Sequence, residues 1–282
     1  MSFVEGCILQ GCQQWQMQMV NFLIVTTKKA MTEILDLLKP FEKIFLLGCG
    51  SCSTVCLTGG ENQIKEMERV LTGESAYKYE VEVEKEYVDE KGKKKTKKEL
   101  ELREAKCPDK HVVTGSIVID EPCDIRLDTK ELPTAPGLVD ADAILAMTCG
   151  VGMQTVYDTL VNAREKGKLP KLPRVFIAND TRFIGQTERI GVFHEMCRGC
   201  GDCMLNETGG ICPVVRCGKS LMNGPCGGMI NGKCEVRDYT LPCGWAQLYE
   251  RLKLLNKLEA YQDVNDPRDF ARWTATRDVA NR

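Results

Sequence analysis

Cysteine is the residue type with the most evident chemical potential in this chain, which has 16 cysteines among 282 residues. Half of them lie between Cys197 and Cys243, a stretch that begins with the triplet CRGCGDC. Thiolates that converge from such short spacings are what an iron–sulfur cluster requires. The stretch therefore predicts a metal centre with eight candidate ligands: Cys197, Cys200, Cys203, Cys212, Cys217, Cys226, Cys234 and Cys243.

Three kinds of site compete for this stretch. One or two 4Fe-4S clusters are favoured by the triplet, and Cys212-Pro213 partly follows the ferredoxin pattern, although eight residues rather than three separate it from the triplet. Structural zinc is the second alternative, because two cysteine pairs suffice for a tetrahedral all-thiolate site. A disulfide framework is the least favoured, because the N-terminal residues do not show the pattern of a secretory signal and reduced cysteines at such spacing usually bind metal or take part in catalysis.

A second group of cysteines follows the apolar run KIFLL, which predicts a buried strand. Cys49 lies at the end of this strand, and Cys52 and Cys56 lie in the first turns of a predicted helix that continues to Leu71. Thiolates near a helix N-terminus are stabilised by the helix dipole. A lone cysteine here would most simply be a core residue, whereas three at this spacing favour a 4Fe-4S cluster. The glycine turn also matches part of a dinucleotide-binding pattern, but serine replaces the third glycine.

The fourth ligand of this site is expected from the same rim of a sheet. Strands alternate with helices along this part of the chain, which predicts an α/β fold with a Rossmann-like parallel sheet. Two further strands, HVVTGSIVI and AILAMT, end just before Cys123 and Cys149. Because the carboxyl ends of parallel strands share one edge, both thiols should lie near Cys49. Cys149 is the first choice, because its strand and Cys-Gly turn repeat those of Cys49, and Cys123 is the alternative.

The chain is expected to divide into three parts. Residues 1–19 show neither helical nor strand periodicity and are interpreted as a loose extension, whose cysteines Cys7 and Cys12 receive no ligand role. Residues 20–190 form the Rossmann-like domain. Residues 191–282 form a cysteine-rich iron–sulfur domain with a C-terminal helix.

Four further segments have definite expectations. An amphipathic helix is predicted from Thr27 to Lys39, and RVFIA at Arg174 to Ala178 is predicted to be the last strand. Residues 73–110 alternate and are charged, which predicts a β-hairpin arm that is either simply solvated or a docking arm for a partner. Cys107, at its end, is expected to be unligated. Gly244 to Tyr261 predicts a strong helix, followed by a polar tail with Phe270 and Trp273.

Composition disfavours several classes of function. The net charge of −2 gives no indication of a nucleic-acid or anionic membrane surface. No apolar run approaches the length of about 20 residues that a membrane span requires. With only two histidines, a site built on imidazole is not expected, and His194 is interpreted as a surface residue. We find no phosphate loop, acid–base constellation or nucleophile paired with a base.

Several motifs together resemble a known family. They are KIFLLGCGSCSTVC, DEPC and TCGVGMQTV in the first domain, and CRGCGDC, GGICPVVRC and NGPCGG in the second. Across roughly Val20 to Asp269 they resemble the MetV family, the small iron–sulfur subunits of acetogenic-type methylenetetrahydrofolate reductases. The cysteine-rich part also resembles the C-terminal domain of some bacterial methylenetetrahydrofolate reductases.

The resemblance implies a cytoplasmic electron-transfer subunit that is inactive alone. Its partner would be a MetF-type flavoprotein, which holds the flavin and reduces methylene- to methyl-tetrahydrofolate in the Wood–Ljungdahl pathway, and further electron-donor subunits are compatible with it. Neither nucleic acid nor membrane insertion is expected. The expected cofactors are two or three 4Fe-4S clusters, with zinc as the alternative at one cysteine site. The alternative functions are a zinc-stabilised scaffold without a redox role and, more weakly, an enzyme whose open cluster binds substrate.

Overall fold

The computed structural model describes residues 23–88, 94–236, 238–269 and 277. The predicted N-terminal extension with Cys7 and Cys12 lies outside these residues, as do the tip of the arm and the tail residues Phe270 and Trp273.

The described chain is a mixed α/β protein. Its strands are β1 (Ile24–Lys28), β2 (Lys43–Cys49), β3 (Ala76–Val88), β4 (Lys94–Lys106), β5 (Val112–Ile119), β6 (Ala143–Met147), β7 (Arg174–Ile177), β8 (Asn179–Arg189), β9 (Val192–Cys197), β10 (Met229–Ile230) and β11 (Lys233–Cys234). Its α-helices are α1 (Met31–Leu38), α2 (Cys52–Val55), α3 (Glu61–Leu71), α4 (Ile125–Glu131), α5 (Gly150–Glu165), α6 (Pro213–Arg216) and α7 (Gly244–Leu254), with 3-10 turns at Leu132–Thr134 and Leu258–Gln262. None of the helices in the described ranges combines the length and apolar character that a membrane crossing needs.

The predicted parallel sheet is present, with four strands in the order β5–β2–β6–β7. Strand β2 is central, and its residues Ile44 to Leu47 are fully buried, as expected for a parallel strand covered on both faces. Phe45 and Leu47 face a core formed with α4 and α5, whereas Ile44 and Leu46 face a core formed with α1 and α3. The central position of β2 places the end of that strand between the ends of β5 and β6.

A second sheet, β1–β8–β9, is antiparallel and was not predicted from the sequence. The helix expected from Thr27 begins only at Met31, because Thr27 and Lys28 pair with β8 instead. The run IVTT consists of β-branched residues, which suit a strand better than a first helical turn. The strand predicted at Arg174 to Ala178 is present as β7 and is the last strand of the parallel sheet, but it is not the last of the chain, since β8 starts at Asn179 and leads to β9.

The single helix expected up to Leu71 is interrupted, so that α2 and α3 are separate elements. Leu57 has a left-handed φ of 57°, and the loop then passes directly over the end of β6. A Cβ on Gly59 would lie 1.8 Å from the carbonyl oxygen of Met147, so only glycine fits this crossing. The loop therefore holds the cysteine turn against the neighbouring strand.

The C-terminal helix is shorter than predicted. Helix α7 ends at Leu254, and Asn256, with a φ of 54°, provides a left-handed stop before the 3-10 turn at Leu258–Gln262. The helix buries Trp245, Leu248 and Leu252 against Cys217. These three residues form an apolar stripe that packs within the cysteine-rich part of the chain.

The predicted hairpin arm is confirmed. Strands β3 and β4 have 13 residues each and pair in continuous antiparallel register from Ala76↔Lys106 to Val88↔Lys94. Exposed ion pairs such as Lys85–Glu101 cross the ribbon, and Tyr77 packs against the core at its base. Exposed pairs of this kind contribute little stability individually.

Asp128 on α4 is a buried carboxyl group. It is 0% exposed, and within the described structure neither carboxyl oxygen has a hydrogen-bond partner. Burial, assisted by the negative charges of Asp124 and Glu131, raises its pKa to about 7. Between roughly pH 4 and 7 the folded protein therefore retains a proton on Asp128 that the unfolded chain releases, so the contribution of Asp128 to the free energy of unfolding falls as pH rises through that window.

We expect Asp128→Asn to remove this pH dependence, which amounts to at most about 4 kcal/mol across the window at about 1.4 kcal/mol per pKa unit. Urea unfolding at pH 5 and pH 7.5 measures it, with the exposed Asp158→Asn on α5 as the matched control. Equal pH slopes in the wild type and Asp128→Asn would show that Asp128 is ionised in the folded protein.

Candidate metal centre

The turn after β2 is held between the two neighbouring strands. The Cys49 N–H donates to the Gly59 carbonyl at 2.9 Å, and the Gly50 N–H donates to the Ile119 carbonyl at the end of β5 at 2.8 Å. The Thr54 hydroxyl donates to the Cys49 carbonyl at 2.6 Å. Cys49 and Cys56 are consequently buried, and Cys52 is half-buried at the first residue of α2.

Strand β1 directs its free edge at this turn. The Ile24 N–H donates to Cys52 Sγ at 3.4 Å, and the Thr26 N–H donates to Cys56 Sγ at 3.5 Å. Alternate residues of a strand present their N–H groups to the same edge, so two donors in β1 serve two sulfurs. These donors could not be predicted as side-chain ligands because they belong to the main chain. The β-branched run IVTT, which favours a strand at this position, was the one sequence feature that indicated them.

The surroundings of the three thiols act in opposite directions on their acidity. Burial raises the pKa of Cys49, Cys52 and Cys56. Main-chain N–H donors from β1 and from Ser51 and Ser53 oppose this effect, because they stabilise the thiolate. These thiols are thus shielded from water, while their sulfurs receive the hydrogen bonds typical of metal-bound thiolates.

Cys149 lies at the same rim, as predicted. It is buried, it immediately precedes α5, and its strand β6 is the direct neighbour of β2. Burial is the main reason that the pKa values of Cys49, Cys52 and Cys56 are raised. Repulsion from a negative charge on Cys149 is a smaller cause that acts on all three thiols. The rim therefore brings Cys149 close to Cys49, Cys52 and Cys56.

Cys123 follows β5, the neighbour of β2 on its other side. As a residue it is exposed, yet desolvation around the thiol and the charges of Cys149 and Cys49 raise its pKa to about 11. Cys107 lies elsewhere, in the core below the arm, where its S–H donates to the Asp109 carbonyl at 2.9 Å. The rim thus contains five cysteines, of which Cys123 is the most exposed.

The triplet of the C-terminal part begins at the end of β9. The Gly199 N–H donates to Cys197 Sγ at 3.3 Å, and Gly199 and Gly201 have φ values of 62° and 81°, which favour glycine. Burial would raise the pKa of Cys200, but a main-chain hydrogen bond at Asp202 and the Arg268 guanidinium, 3.0 Å from its sulfur, lower it overall.

Two neighbours of the triplet complete its description. Cys203 is exposed. His194 hydrogen-bonds Glu188 at 2.6 Å on the surface, as expected for a histidine without a role at sulfur.

Four other cysteines line one small pocket: Cys217, Cys226, Cys234 and Cys243. They come from the end of α6, a glycine loop, β11 and the residue before α7. The Gly228 N–H donates to Cys226 Sγ at 3.4 Å. Cys212 is not part of this lining and precedes α6, which packs against β9. The grouping of these four was not evident from the sequence, because eight or nine positions separate consecutive members.

The spacing of these thiols bears on the kind of centre. No disulfide joins any two of the described cysteines. Within the described ranges, no three Cys, His, Asp or Glu side chains stand close enough together to bind a single metal ion. A zinc site brings all its sulfurs to about 2.3 Å from one ion, whereas the thiolates of a four-iron cluster bind different irons and stand further apart.

Fold and site together define an α/β protein with cysteine-rich candidate metal centres. Residues 176–271 match the protein-family model described as "Methylene-tetrahydrofolate reductase C terminal". The match contains the eight cysteines from Cys197 to Cys243 and leaves those of the parallel-sheet rim outside. It relates this part of the chain to methylenetetrahydrofolate reductases without distinguishing a particular member. No curated protein and no solved structure matches the chain.

Proposed function

We propose that the chain is an iron–sulfur electron-transfer subunit of a methylenetetrahydrofolate reductase complex. The observation that carries this proposal is the set of main-chain N–H groups directed at the sulfurs of Cys52 and Cys56, beside Cys49 and Cys149. Hydrogen bonds to sulfur and burial are the means by which proteins set cluster potentials. The family match over residues 176–271 supports the link to the reductase.

The cysteines are assigned to sites as follows. At the rim, Cys49, Cys52, Cys56 and Cys149 would hold one 4Fe-4S cluster, with Cys123 as the alternative fourth ligand. In the C-terminal part, the triplet with Cys212 would hold a second. The four pocket cysteines would hold a third centre. Clusters, when bound, accept and donate single electrons, and the chain's own residues hold them, exclude water and supply hydrogen bonds to sulfur.

The catalytic partner in this proposal is a MetF-type flavoprotein that holds both flavin and folate. The present chain would relay electrons to or from that flavin, as a cytoplasmic subunit in the Wood–Ljungdahl pathway. A structural zinc scaffold is the second candidate, because four cysteines line a single small pocket beside Trp245. Their thiols would have to move closer together to bind one ion, since no three of the described side chains stand close enough to do so. Zinc in that pocket alone is compatible with iron at the other two sites.

Anaerobic purification tests the proposal. We expect about eight to twelve irons, with matching sulfide, per chain from two or three four-iron clusters. Co-expressed with the flavoprotein reductase subunit of the same organism, the chain should form a complex that reduces methylene-tetrahydrofolate with reduced viologen. Alone it should show no such activity. Zinc without iron, or folate reduction by the isolated chain, would overturn the assignment.

A further inference from the structure

The antiparallel sheet β1–β8–β9 has a cysteine site at each of its two edges. Its first edge strand, β1, donates two N–H groups to the sulfurs of Cys52 and Cys56. Its other edge strand, β9, ends at Cys197, the first residue of the triplet. One sheet of three strands therefore touches both candidate centres.

The register of this sheet aligns the two sites. Ile24 pairs with Ile184, and Ile184 pairs with Cys197, so the three residues form one row across the sheet. Neighbouring strands lie about 4.8 Å apart, which puts the backbones of Ile24 and Cys197 about 10 Å from each other. Ile24 is also the residue whose N–H contacts Cys52 Sγ. The row thus begins at a sulfur contact and ends at a cysteine.

The side chains beside this row are apolar. Leu23, Val25 and Phe183 pack with Phe193 and with Cys56 itself. Ile184 reaches toward the triplet loop, since its Cδ1 lies 3.7 Å from the position of a Cβ on Gly199. Apolar side chains of the sheet thus pack against Cys56 on the rim side, and Ile184 approaches the triplet loop on the other.

We infer that the β1–β8–β9 sheet couples the rim site to the triplet site, with the Ile24 N–H as its contact on the rim side and Cys197 on the other. This inference rests on the proposed function. With clusters bound at both sites, one electron would pass from the reduced site to the oxidised site, with no bond formed or broken and no proton moved. The partner's flavin is the external donor or acceptor. A sheet that only held the two parts together would not require its amides to face sulfur.

Electron paramagnetic resonance of the fully reduced full-length protein tests the coupling. Two paramagnetic centres that lie at opposite edges of one three-stranded sheet should show spin–spin broadening of both signals. In Cys200→Ser, which removes a triplet ligand, the rim signal should narrow to that of an isolated centre. If the fully reduced wild-type spectrum is instead the plain sum of two isolated signals, the sheet does not couple the sites. That result would leave the proposed function standing, whereas a protein without iron would refute the function itself.

Ile24→Pro tests the contact point. Proline removes the N–H that faces Cys52 and leaves the ladder to β8 intact, because that N–H points away from β8, and proline is tolerated at such edge positions. We expect the midpoint potential of the rim centre to fall, because a donor that stabilises the more negative reduced state is lost, while the potential of the triplet centre stays unchanged. Ile24→Ala keeps the N–H and should leave both potentials unchanged. Equal rim potentials in Ile24→Pro and Ile24→Ala would refute the contact; if Ile24→Pro does not fold, the wild-type spectrum decides.

Discussion

Cys149→Ala should lose the rim cluster, and with it about four irons per chain, whereas Cys123→Ala should retain them. The expectation rests on position. Cys149 is buried beside the central strand, and a charge on it is felt by all three thiols of the turn. Cys123 is exposed on the other neighbour of β2. A cluster held by three thiolates and open at one iron would be labile, so partial loss should appear first as a three-iron signal.

The measurement is iron content together with electron paramagnetic resonance of the full-length variants. The full chain is needed because β8 pairs with β1, and truncation within β8 would remove the pairing that holds the β1 donors at Cys52 and Cys56. Cys107→Ala is the matched control, since Cys107 is buried but lies away from the rim. A normal four-iron signal in Cys149→Ala, with its loss in Cys123→Ala, would exchange the roles of the two cysteines.

The group of cysteines at the sheet rim could be predicted from the sequence because each of them follows a strand that is recognisable from its own local pattern. The run KIFLL is buried on both faces, and short apolar runs that each end in a cysteine place their thiols at one sheet edge whatever the strand order. The strand order itself was not predictable. In the structure β2 lies between the strands that lead to Cys123 and Cys149, which places both cysteines next to the turn that contains Cys49. Here the parallel sheet converts a repeated local pattern into one site.

The sheet β1–β8–β9 was not predicted because its strands pair over long distances in the sequence. Ile24 and Ile184 are 160 positions apart in the chain, and the sequence around Thr27 satisfies a helical pattern equally well. Tertiary pairing overrode that local preference. The break between α2 and α3 has a similar origin, since Gly59 is needed only because its backbone crosses Met147 on another strand.

The eight cysteines of the C-terminal part show a second limit of prediction from the sequence. The triplet was recognisable from its spacing. The spacing of the other five cysteines did not indicate which of them share a site with the triplet and which form a site of their own. The structure collects Cys217, Cys226, Cys234 and Cys243 around one pocket because α6, the hairpin β10–β11 and the start of α7 pack together there. This grouping predicts two independent metal sites in a segment whose sequence resembles one continuous motif.

Paired substitutions should therefore separate the two sites. Cys200→Ser is expected to remove the metal of the triplet only, and Cys226→Ser the metal of the pocket only, so that the double variant loses the sum of both. Cys226→Ser should also cause the larger loss of stability, because its pocket joins the buried Cys217 to Trp245 at the start of α7. Structural metal contributes about 10–16 kcal/mol to the folding of small metal-dependent domains. We therefore expect Cys226→Ser to lower the free energy of unfolding by several kcal/mol.

Metal analysis and thermal unfolding of the three variants provide the measurement, with Cys107→Ala again as the control that should keep all metal. The metal lost in Cys226→Ser also decides between the two chemistries of the pocket: loss of about four irons indicates a third cluster, and loss of one zinc indicates a structural ion. If either single variant empties both sites, the eight thiols form one interdependent centre. That conclusion requires thermal unfolding to show that the C-terminal part of the variant is still folded, because loss of the fold would itself release the metal of the other site.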